Sequence, residues 1–508
     1  MAWYNEAIIY HIYPLGLLGA PKHNDYGKIQ HRIPRLSAWT KHAKSLGANT
    51  LLIGPVFESA THGYDTTDYA KVDVRLGSNA DLKKLVKEAH QNGQRVILDA
   101  VYNHVGRDFW AFKDVQQNRE KSAYVSWFSG INFNENNYHN DGFSYDTWRG
   151  YDILVRLNLE NPQVRSYLID QTLQWIKEFD IDGLRLDSAD VLNFDFMREL
   201  RSATEAAKPD FWLMGEVIHG EYNRWEEPGL LHAVTNYSLH QGLFNAHNTH
   251  NYFEIAHTVN RNIDLLQGLA AEIQAHGDNN NAAGESGNGN DDVSGNNNDD
   301  ASESSKTDVS ENDAGDATGP WRGPGALGLY NFVDNQDVSR IASKVDNRAD
   351  LFPIYTLVYT LSGVPSLYYG SEFGIEGARS DTSDEVVRPK LSLSDFKGAQ
   401  KNNPLTGLLT TLGKVRKEQP ALSYGEYRQL YLTNEQYAFA RITDTDAVIV
   451  AVNNSDNPAT VSVDGLGRPG YKDEFTGDTF TLNDWQMTIE IPAHGARLLT
   501  QTARPAGL

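Results

Sequence analysis

The chain has 508 residues, 40% of them hydrophobic and 11% aromatic, which is enough for a large folded domain with smaller additions. Its formal net charge of −22 argues against nucleic acid and anionic membrane surfaces as partners, because both attract basic patches. Cysteine is absent, so disulfide bonds are excluded. There is no basic-then-apolar leader and no apolar run of roughly 18 residues or more, so we expect a cytoplasmic protein without a membrane span.

Strand and helix patterns alternate through the first 400 residues, which predicts a parallel α/β architecture. Strands are predicted near residues 8–13, 50–56, 95–100, 183–187, 211–217, 233–237, 329–334 and 366–370. Asn79 is a candidate N-cap for one of the helices, and Asn161-Pro162 supplies a cap and a first residue for another. Eight strand–helix units predict a (β/α)8 TIM barrel, whose active site lies at the carboxyl ends of the strands.

Two segments depart from this alternation. Residues 105–160 are rich in Phe, Tyr, Trp and Asn and show no clear period, and a loop this long inside a barrel is usually functional. From about Gln419 the pattern becomes that of antiparallel β-structure, because residues 436–442 alternate, residues 443–446 form a turn and residues 447–452 return as a strand. The sequence therefore predicts an excursion from the barrel and a separate C-terminal β-domain.

An acidic tract of low complexity covers residues 276–320. It contains 11 acidic residues and one Lys, and apolar residues are almost absent from it. Such a composition predicts disorder. The tract connects a helix to the seventh strand, which places it on the barrel face opposite the active site. We therefore expect it to be dispensable for catalysis.

Four short segments carry the chemistry of the chain. They are Asp99-Ala-Val-Tyr-Asn-His104, Gly183-Leu-Arg-Leu-Asp187, Gly215-Glu216-Val217 and Phe332-Val-Asp-Asn-Gln-Asp337. Three of their carboxylates, Asp187, Glu216 and Asp337, follow predicted strands and could converge on one mouth of the barrel. Glycosidic bond cleavage needs one carboxylate to attack the anomeric carbon, one acid to protonate the leaving oxygen, and further negative charge to stabilise the transition state.

The order and the residue patterns of these segments resemble those of glycoside hydrolase family 13, the α-amylase family. The resemblance extends from about Trp3 to the C-terminus. The resemblance implies a retaining mechanism in which Asp187 is the nucleophile that forms a covalent glycosyl-enzyme intermediate. It implies that Glu216 is the acid/base and that Asp337 stabilises the transition state. It also implies that residues 105–160 form the small protruding domain B of that family.

The resemblance extends to residues that bind substrate. The segment His62-Gly-Tyr-Asp65 is similar to the family's strand-two loop, where Tyr64 stacks on the reacting sugar and Asp65 supports an arginine network. His104 is similar to the histidine that hydrogen-bonds the same sugar. Arg185 lies two residues before Asp187 on one strand, so both point to the same side and the cation would keep Asp187 ionised.

One position departs from the family pattern. The usual Asn-His-Asp is replaced by Asn335-Gln336-Asp337, and Gln336 can donate and accept hydrogen bonds but cannot carry a positive charge. We expect a preserved binding geometry with an altered rate or an altered preference for the reacting sugar.

The expected domains are a barrel over residues 1–104 and 161–418, domain B over residues 105–160 and a C-terminal antiparallel β-sandwich over residues 419–508. No cofactor is expected to be required. Calcium stays possible through Asn103 and carbonyls of domain B, although the sequence shows no dense cluster of oxygen ligands.

The segments Leu157-Asn-Leu-Glu-Asn-Pro162 and Gly363-Val-Pro-Ser-Leu-Tyr-Tyr-Gly-Ser-Glu372 resemble the cyclomaltodextrinase, neopullulanase and maltogenic amylase branch. Relatives specific for α-1,6 bonds often have Val after the nucleophile, whereas this chain has Ser188. We therefore favour α-1,4 cleavage of maltooligosaccharides and maltodextrins. A transglycosylase, an α-1,6-glucosidase and a non-catalytic α-glucan-binding protein stay open as alternatives. An oligosaccharide substrate is the expected partner, and the oligomeric state stays open.

Overall fold

The computed structural model describes residues 2–282, 328–380, 383–398 and 403–502. Its strands are β1 (Ile9–Ile12), β2 (Thr50–Ile53), β3 (Phe57–Ser59), β4 (Thr66–Val72), β5 (Arg95–Ala100), β6 (His104–Gly106), β7 (Thr147–Trp148), β8 (Tyr151–Arg156), β9 (Gly183–Leu186), β10 (Trp212–Gly215), β11 (Ala233–Thr235), β12 (Leu329–Asn331), β13 (Val364–Tyr368), β14 (Glu426–Leu432), β15 (Gln436–Ile442), β16 (Ala447–Asn453), β17 (Ala459–Asp464), β18 (Gly470–Asp473), β19 (Thr479–Thr481), β20 (Gln486–Ile491) and β21 (Gly495–Gln501). Its α-helices are α1 (Pro14–Leu17), α2 (Leu36–Ser45), α3 (Asn79–Gln91), α4 (Trp110–Asn118), α5 (Pro162–Phe179), α6 (Phe194–Ala207), α7 (Tyr237–Asn248), α8 (Phe253–Ala282), α9 (Leu351–Thr360), α10 (Pro404–Glu418) and α11 (Pro420–Tyr424).

Eight parallel strands close into a barrel in the order β1-β13-β12-β11-β10-β9-β5-β2. Each of them overlaps one of the strands predicted from the sequence, so the predicted (β/α)8 barrel is confirmed. Its interior is filled by buried side chains from both halves of the barrel, among them Ile9, Leu52, Ile97, Trp212 and Met214. A packed interior leaves the rim at the carboxyl ends of the strands as the place for chemistry.

Local capping explains where two of the barrel helices begin. The first residue of α3 is Asn79, but its N-cap is Ser78, which forms a reciprocal capping box with Asp81. The prediction that Asn79 itself is the cap was therefore wrong by one residue. Helix α5 begins as predicted, with the Asn161 side chain accepting the Gln163 N–H and Pro162 in the first turn.

The connection between β5 and α5 contains its own small sheet, in the order β6-β8-β7, and the helix α4. We call residues 105–160 domain B. The aperiodic sequence had not indicated α4, because its buried residues Ala111, Phe112 and Val115 pack against other parts of domain B rather than along a long amphipathic stripe. A further hairpin of β3 and β4 follows β2 and carries the segment around Tyr64.

The C-terminal domain consists of two antiparallel sheets, with strand orders β14-β15-β16-β21-β18-β19 and β17-β20. One apolar core is shared between them, because Ile449 of the larger sheet and Val461 and Ile489 of the smaller sheet belong to the same buried cluster. The predicted C-terminal β-sandwich fits this arrangement.

Helix α8 runs to Ala282 and therefore extends beyond the predicted helix of residues 255–269 into the start of the acidic tract. The remainder of that tract, residues 283–320, lies outside the described residues. Among the residues that the structure describes, no helix combines the length and the apolar character that crossing a bilayer requires.

Candidate active site

One buried arginine binds three carboxylates at the carboxyl end of the barrel. Arg185 Nη1 donates to both oxygens of Asp99, at 2.8 and 3.0 Å, and to Oδ1 of Asp187 at 3.1 Å. Arg185 Nη2 lies 2.8 Å from Oε1 of Glu216. The register of the barrel produces this cluster, because Asp99 pairs with Arg185 across β5 and β9, while Asp187 and Glu216 directly follow β9 and β10. The structure thus brings together two of the three predicted carboxylates.

Asp99 belongs to this cluster, although sequence reasoning gave it no role. It is 2% exposed, and besides Arg185 it accepts a hydrogen bond of 3.0 Å from the Tyr64 hydroxyl. This contact fixes the ring of Tyr64 at the mouth of the barrel. The signal in the sequence was its position at the end of the third strand, since side chains at the carboxyl ends of neighbouring parallel strands meet.

Burial raises the pKa of Asp99, of Asp187 and of Glu216 above the ordinary carboxyl range, and the nearby Arg185 cation opposes the rise. The contact between Arg185 and Asp187 was predicted, and the cation lowers the pKa of Asp187 as expected, although burial raises that pKa by more. One cation serves three buried carboxylates, so burial and mutual repulsion outweigh it. The cluster therefore retains protons more readily than exposed carboxylates do, and an acid catalyst needs such a property near neutral pH.

Ser188 connects the proposed nucleophile to the proposed acid. Its backbone N–H donates to Oε2 of Glu216 at 3.0 Å, and its hydroxyl donates to Oδ2 of Asp187 at 3.2 Å. Its φ of +50° lies in the left-handed region, which is uncommon for residues other than glycine. This backbone turn is what directs the Ser188 N–H at Glu216. The functional contact was not predicted.

Tyr237 is a second residue that sequence reasoning missed. Its hydroxyl donates to Oε1 of Glu216 at 3.1 Å and lies 3.4 Å from the side-chain amide of Asn335, which donates to it. Asn335 also accepts the backbone N–H of Asp337 at 2.8 Å. Tyr237 therefore joins the proposed acid to the segment of the third carboxylate.

Replacing Tyr237 by Phe removes one hydrogen bond to Glu216 and leaves the ring in place. A donated hydrogen bond favours the ionised carboxylate, so its loss raises the pKa of Glu216 further. We expect the basic limb of the pH profile of kcat/KM to move to higher pH, by up to about one unit. A profile that shifts to lower pH, or that only scales down at every pH, would contradict this role for Tyr237.

Asp337 lies outside the Arg185 cluster and is held by Arg388. Arg388 Nη2 donates to Oδ1 of Asp337 at 2.8 Å, and Arg388 Nε donates to the Gln336 carbonyl at 2.8 Å. The guanidinium also stacks 5.9 Å from the ring centroid of Tyr64. Asp337 is close enough for its charge to contribute to the raised pKa of Glu216. The three predicted carboxylates thus share one mouth, and Arg388 is a cation that the sequence did not reveal.

Gln336 takes the place of the histidine expected at this position. Its amide nitrogen donates to Oδ2 of Asp337, while its amide oxygen is buried and has no hydrogen-bond partner among the described residues. The side chain therefore fixes one oxygen of Asp337 and keeps one acceptor available next to it.

The Gln336→His variant tests whether this position sets the rate or the sugar preference. An imidazole keeps a donor for Asp337 and adds a positive charge when protonated. We expect kcat/KM to change by roughly threefold to thirtyfold, or the ranking of glucosides and other α-glycosides to change. Unchanged turnover together with an unchanged ranking would show that the replacement is silent.

His104 is buried and uncharged. Burial is the main cause that lowers its pKa to about 3. The Asn103 amide donates to its Nδ1 at 3.3 Å, which leaves Nε2 as the donor, and a hydrogen bond with the Tyr64 backbone opposes the lowering of the pKa. The neutral imidazole lies beside Tyr64 at the mouth of the barrel, and its contact with a sugar hydroxyl stays a prediction.

Asp65 is linked to an arginine through Thr61 rather than by a direct ion pair, because the Thr61 carbonyl accepts from Arg75 Nη1 at 2.6 Å. Its Oδ2 accepts the Thr61 hydroxyl at 2.6 Å, and its Oδ1 lies 3.9 Å from Nδ1 of His62. Within the described residues it forms no ion pair with an arginine. The backbone of the β3–β4 hairpin turns the Asp65 side chain toward its own loop. Arg388 instead pairs with Asp384, at 2.9 Å, as its second carboxylate besides Asp337.

The described residues contain no group of three or more His, Cys, Asp or Glu side chains that could hold a metal ion. Asn103, the predicted candidate ligand for calcium, donates its amide to His104 and accepts the Leu157 N–H on its carbonyl. Calcium bound through Asn103 and carbonyls of domain B stays a prediction.

Comparison with protein families identifies two parts of the chain. Residues 39–285 match the family described as alpha amylase, catalytic domain, and this segment contains Arg185, Asp187 and Glu216. The chain belongs to the α-amylase family of glycoside hydrolases. Residues 427–498 match the maltogenic amylase C-terminal domain, which covers most of the β-sandwich of this glycoside hydrolase.

Relatives of this α-amylase family member carry the names that the sequence resemblance suggested. A cyclomaltodextrinase of a Bacillus species is 28% identical over 480 residues, which cover 89% of this chain and 73% of the relative. The intracellular maltogenic amylase of Bacillus subtilis is 26% identical over 447 residues, which cover 86% of this chain and 63% of the relative. A solved cyclomaltodextrinase superposes with a TM-score of 0.78 at 24% identity, over 98% of this chain and 78% of that one, and supports the fold.

Proposed function

We propose that this glycoside hydrolase cleaves α-1,4 bonds of maltooligosaccharides and maltodextrins with retention of configuration. The observation that carries the proposal is the double bridge between two carboxylates: Arg185 and Ser188 each contact both Asp187 and Glu216. Residues that contact both groups hold them close together. This favours the spacing of about 5 Å found in retaining glycosidases over the roughly 6.5–9.5 Å of inverting ones.

In the proposed first step, an oxygen of the Asp187 carboxylate forms a bond to the anomeric carbon. The bond between that carbon and the glycosidic oxygen breaks, and Glu216 transfers its proton to the departing oxygen. In the second step Glu216 takes a proton from water, whose oxygen attacks the anomeric carbon and releases Asp187. Asp337 supplies negative charge beside the oxocarbenium-like transition state, and Arg388 holds that carboxylate in place.

The raised pKa of the buried cluster supports this division of roles. The mechanism needs one proton within the cluster when the leaving oxygen arrives, and burial raises the pKa of both Glu216 and Asp187. Arg185 touches both carboxylates, so it can remain paired with whichever one is ionised. The covalent intermediate on Asp187 is part of the proposal and can be trapped with Glu216→Gln and a substrate whose leaving group needs no proton.

The test is chromatography of the products from maltotriose, β-cyclodextrin, pullulan and isomaltotriose, together with NMR of the first anomer formed. Glucose and maltose from the α-1,4 substrates, released first as α-anomers, are expected. Products from isomaltotriose alone would favour an α-1,6-glucosidase, and longer products at high substrate concentration would favour a transglycosylase. Absence of all products combined with measurable binding would favour a glucan-binding protein.

We further propose that catalysis needs no metal or other cofactor. The acid, the nucleophile and the charge-stabilising groups of the proposed mechanism are all side chains of the chain itself. We expect kcat on maltotriose to stay within about twofold after dialysis against EDTA, and to be unchanged by added Ca²⁺. A loss of kcat after EDTA that added Ca²⁺ reverses would contradict this proposal and would indicate a calcium site in domain B.

We propose the cytoplasm as the place of action, with an oligosaccharide as partner and without nucleic acid or membrane. The net charge of −22 and the intracellular maltogenic amylase among the relatives support this. Cell fractionation with an antibody against the chain tests the location, and size-exclusion chromatography with light scattering determines the oligomeric state.

A further inference from the structure

A row of three aromatic side chains leads from the active site to solvent through domain B. The rings of His104 and Trp148 lie 5.6 Å apart, and the rings of Trp148 and Tyr151 lie 5.7 Å apart in a stacked arrangement. We call His104, Trp148 and Tyr151 the aromatic row. His104 is buried at its inner end, while Tyr151 at its outer end is 55% exposed.

The outer part of the row is displayed by a very short hairpin. Strands β7 and β8 are joined by Arg149 and Gly150, whose φ values are +49° and +81°. A two-residue turn with both φ angles positive matches the twist of a hairpin, and it places Trp148 opposite Tyr151. The Tyr151 ring is not needed to fill the domain B core, since more than half of the residue is exposed.

This hairpin is tied to the catalytic segments. Arg149 lies 3.8 Å from the carboxylate of Asp190, and its guanidinium stacks 5.0 Å from the ring centroid of Trp148. The backbone N–H of Asp190 donates to the Glu216 carbonyl at 3.2 Å. Through Arg149 and Asp190 the aromatic row therefore borders the segment that follows the proposed nucleophile and contacts the proposed acid.

A polar atom in the row has no partner among the described residues. The indole N–H of Trp148 is buried and makes no hydrogen bond there. Buried donors are satisfied by protein groups, by water or by a ligand, so this nitrogen is available to an acceptor that a ligand brings. An indole nitrogen can only donate, which suits the hydroxyl oxygens of a sugar.

We propose that the aromatic row binds the glucan chain beyond the reacting sugar and that Tyr151 sets the preference for longer substrates. The proposal rests on the function proposed above and extends it from the bond cleaved to the length of chain recognised. The exposed Tyr151 ring offers apolar area to the face of a glucose ring, and the indole donor of Trp148 fixes the orientation of the sugar. Because Tyr151 is the outermost ring, only a substrate long enough to reach it gains from the contact.

The decisive variant is Tyr151→Ala, measured against Tyr138→Ala as a matched control. Tyr138 is also a tyrosine of domain B, is 89% exposed and has its ring contact with His139, outside the row. We expect Tyr151→Ala to lower kcat/KM for maltohexaose about tenfold and to leave that for maltotriose within about twofold. Tyr138→Ala is expected to change neither.

Two further measurements separate binding from stability and from catalysis. Trp148→Phe keeps the ring and removes the indole donor, so KM for maltohexaose is expected to rise while kcat and the melting temperature stay the same. In an Asp187→Asn background, Tyr151→Ala is expected to raise the Kd for maltohexaose about tenfold.

The proposal would be overturned if Tyr151→Ala left the ratio of kcat/KM for maltohexaose to kcat/KM for maltotriose unchanged. An equal loss of kcat/KM on both substrates is one such result. An equal effect of Tyr138→Ala would overturn it as well. If the wild-type protein cleaves neither glucan, the proposed function fails instead, and the binding measurement still decides whether the row recognises a glucan chain.

Discussion

The variant Asp187→Asn is expected to lower kcat on maltotriose by at least about a thousandfold while the protein stays folded. An amide is nearly the same size as a carboxylate but cannot form the covalent bond to the anomeric carbon. Arg185 donates to Oδ1 and Ser188 to Oδ2 of Asp187, so the amide oxygen can keep the Arg185 contact while the Ser188 hydroxyl rotates to accept from the amide nitrogen. Because burial raises the pKa of Asp187, the uncharged amide is not expected to lower the melting temperature. Initial rates give kcat, and thermal melts of the same preparation give the melting temperature.

The matched control is Asp195→Asn. Asp195 is a carboxylate on helix α6, its side chain is 70% exposed and it pairs with Arg198. Its replacement is expected to leave kcat unchanged, because the side chain is exposed and its ion pair with Arg198 contributes little to stability. Retention of more than about a tenth of the wild-type kcat in Asp187→Asn would exclude Asp187 as the nucleophile.

The second large effect is expected for Arg185→Leu. Arg185 is the shared cation of Asp99, Asp187 and Glu216, and its side chain is 4% exposed. Removing it leaves three buried carboxylates without a counter-charge. We expect the free energy of unfolding to fall by about 3–5 kcal/mol at neutral pH, together with loss of turnover. Urea denaturation followed by tryptophan fluorescence measures the free energy of unfolding.

The effect of Arg185→Leu on stability should depend on pH. The pKa values of the three carboxylates are already raised in the folded protein, so their contribution to stability is greatest at low pH and is lost as the pH rises through those values. Removing the cation raises them further, so the destabilisation is expected to be larger at pH 8 than at pH 5. Arg198→Leu, an arginine whose side chain is 48% exposed, is the control and should cost less than about 1 kcal/mol. If Arg185→Leu lowers the free energy of unfolding equally at pH 5 and pH 8, Arg185 stabilises the fold by packing rather than by charge.

The barrel could be predicted from the sequence because each of its strands is a short apolar run between helix signals. The same reasoning found the proposed catalytic carboxylates, since Asp187 and Glu216 directly follow such runs and their neighbours are apolar. It failed in domain B, where contacts between residues far apart in sequence replace any local period. Helix α4 and the hairpin that carries Trp148 were therefore not anticipated.

The contacts of the charged groups could not be derived from local pattern. Asp65 was expected to support an arginine, but the β3–β4 hairpin turns it toward Thr61. Arg388 contacts Asp337, 51 residues earlier in the chain, and no spacing in the sequence indicates that meeting. Burial, which depends on the whole fold, raises the pKa of Asp187 against the opposing effect of Arg185.

The sequence by itself determined the fold class and the positions of the strands, because periodicity is a local property. Its resemblance to the α-amylase family, rather than periodicity, selected Asp187, Glu216 and Asp337 as the candidate carboxylates. Tertiary structure alone decided which cation serves which carboxylate, through the register that pairs Asp99 with Arg185 across β5 and β9. It also decided that Tyr237 and Ser188 both donate to Glu216, since a hydrogen bond depends on distances of a few tenths of an ångström. Electrostatic interactions and burial act through space rather than along the chain, so these features emerge only once the barrel has closed.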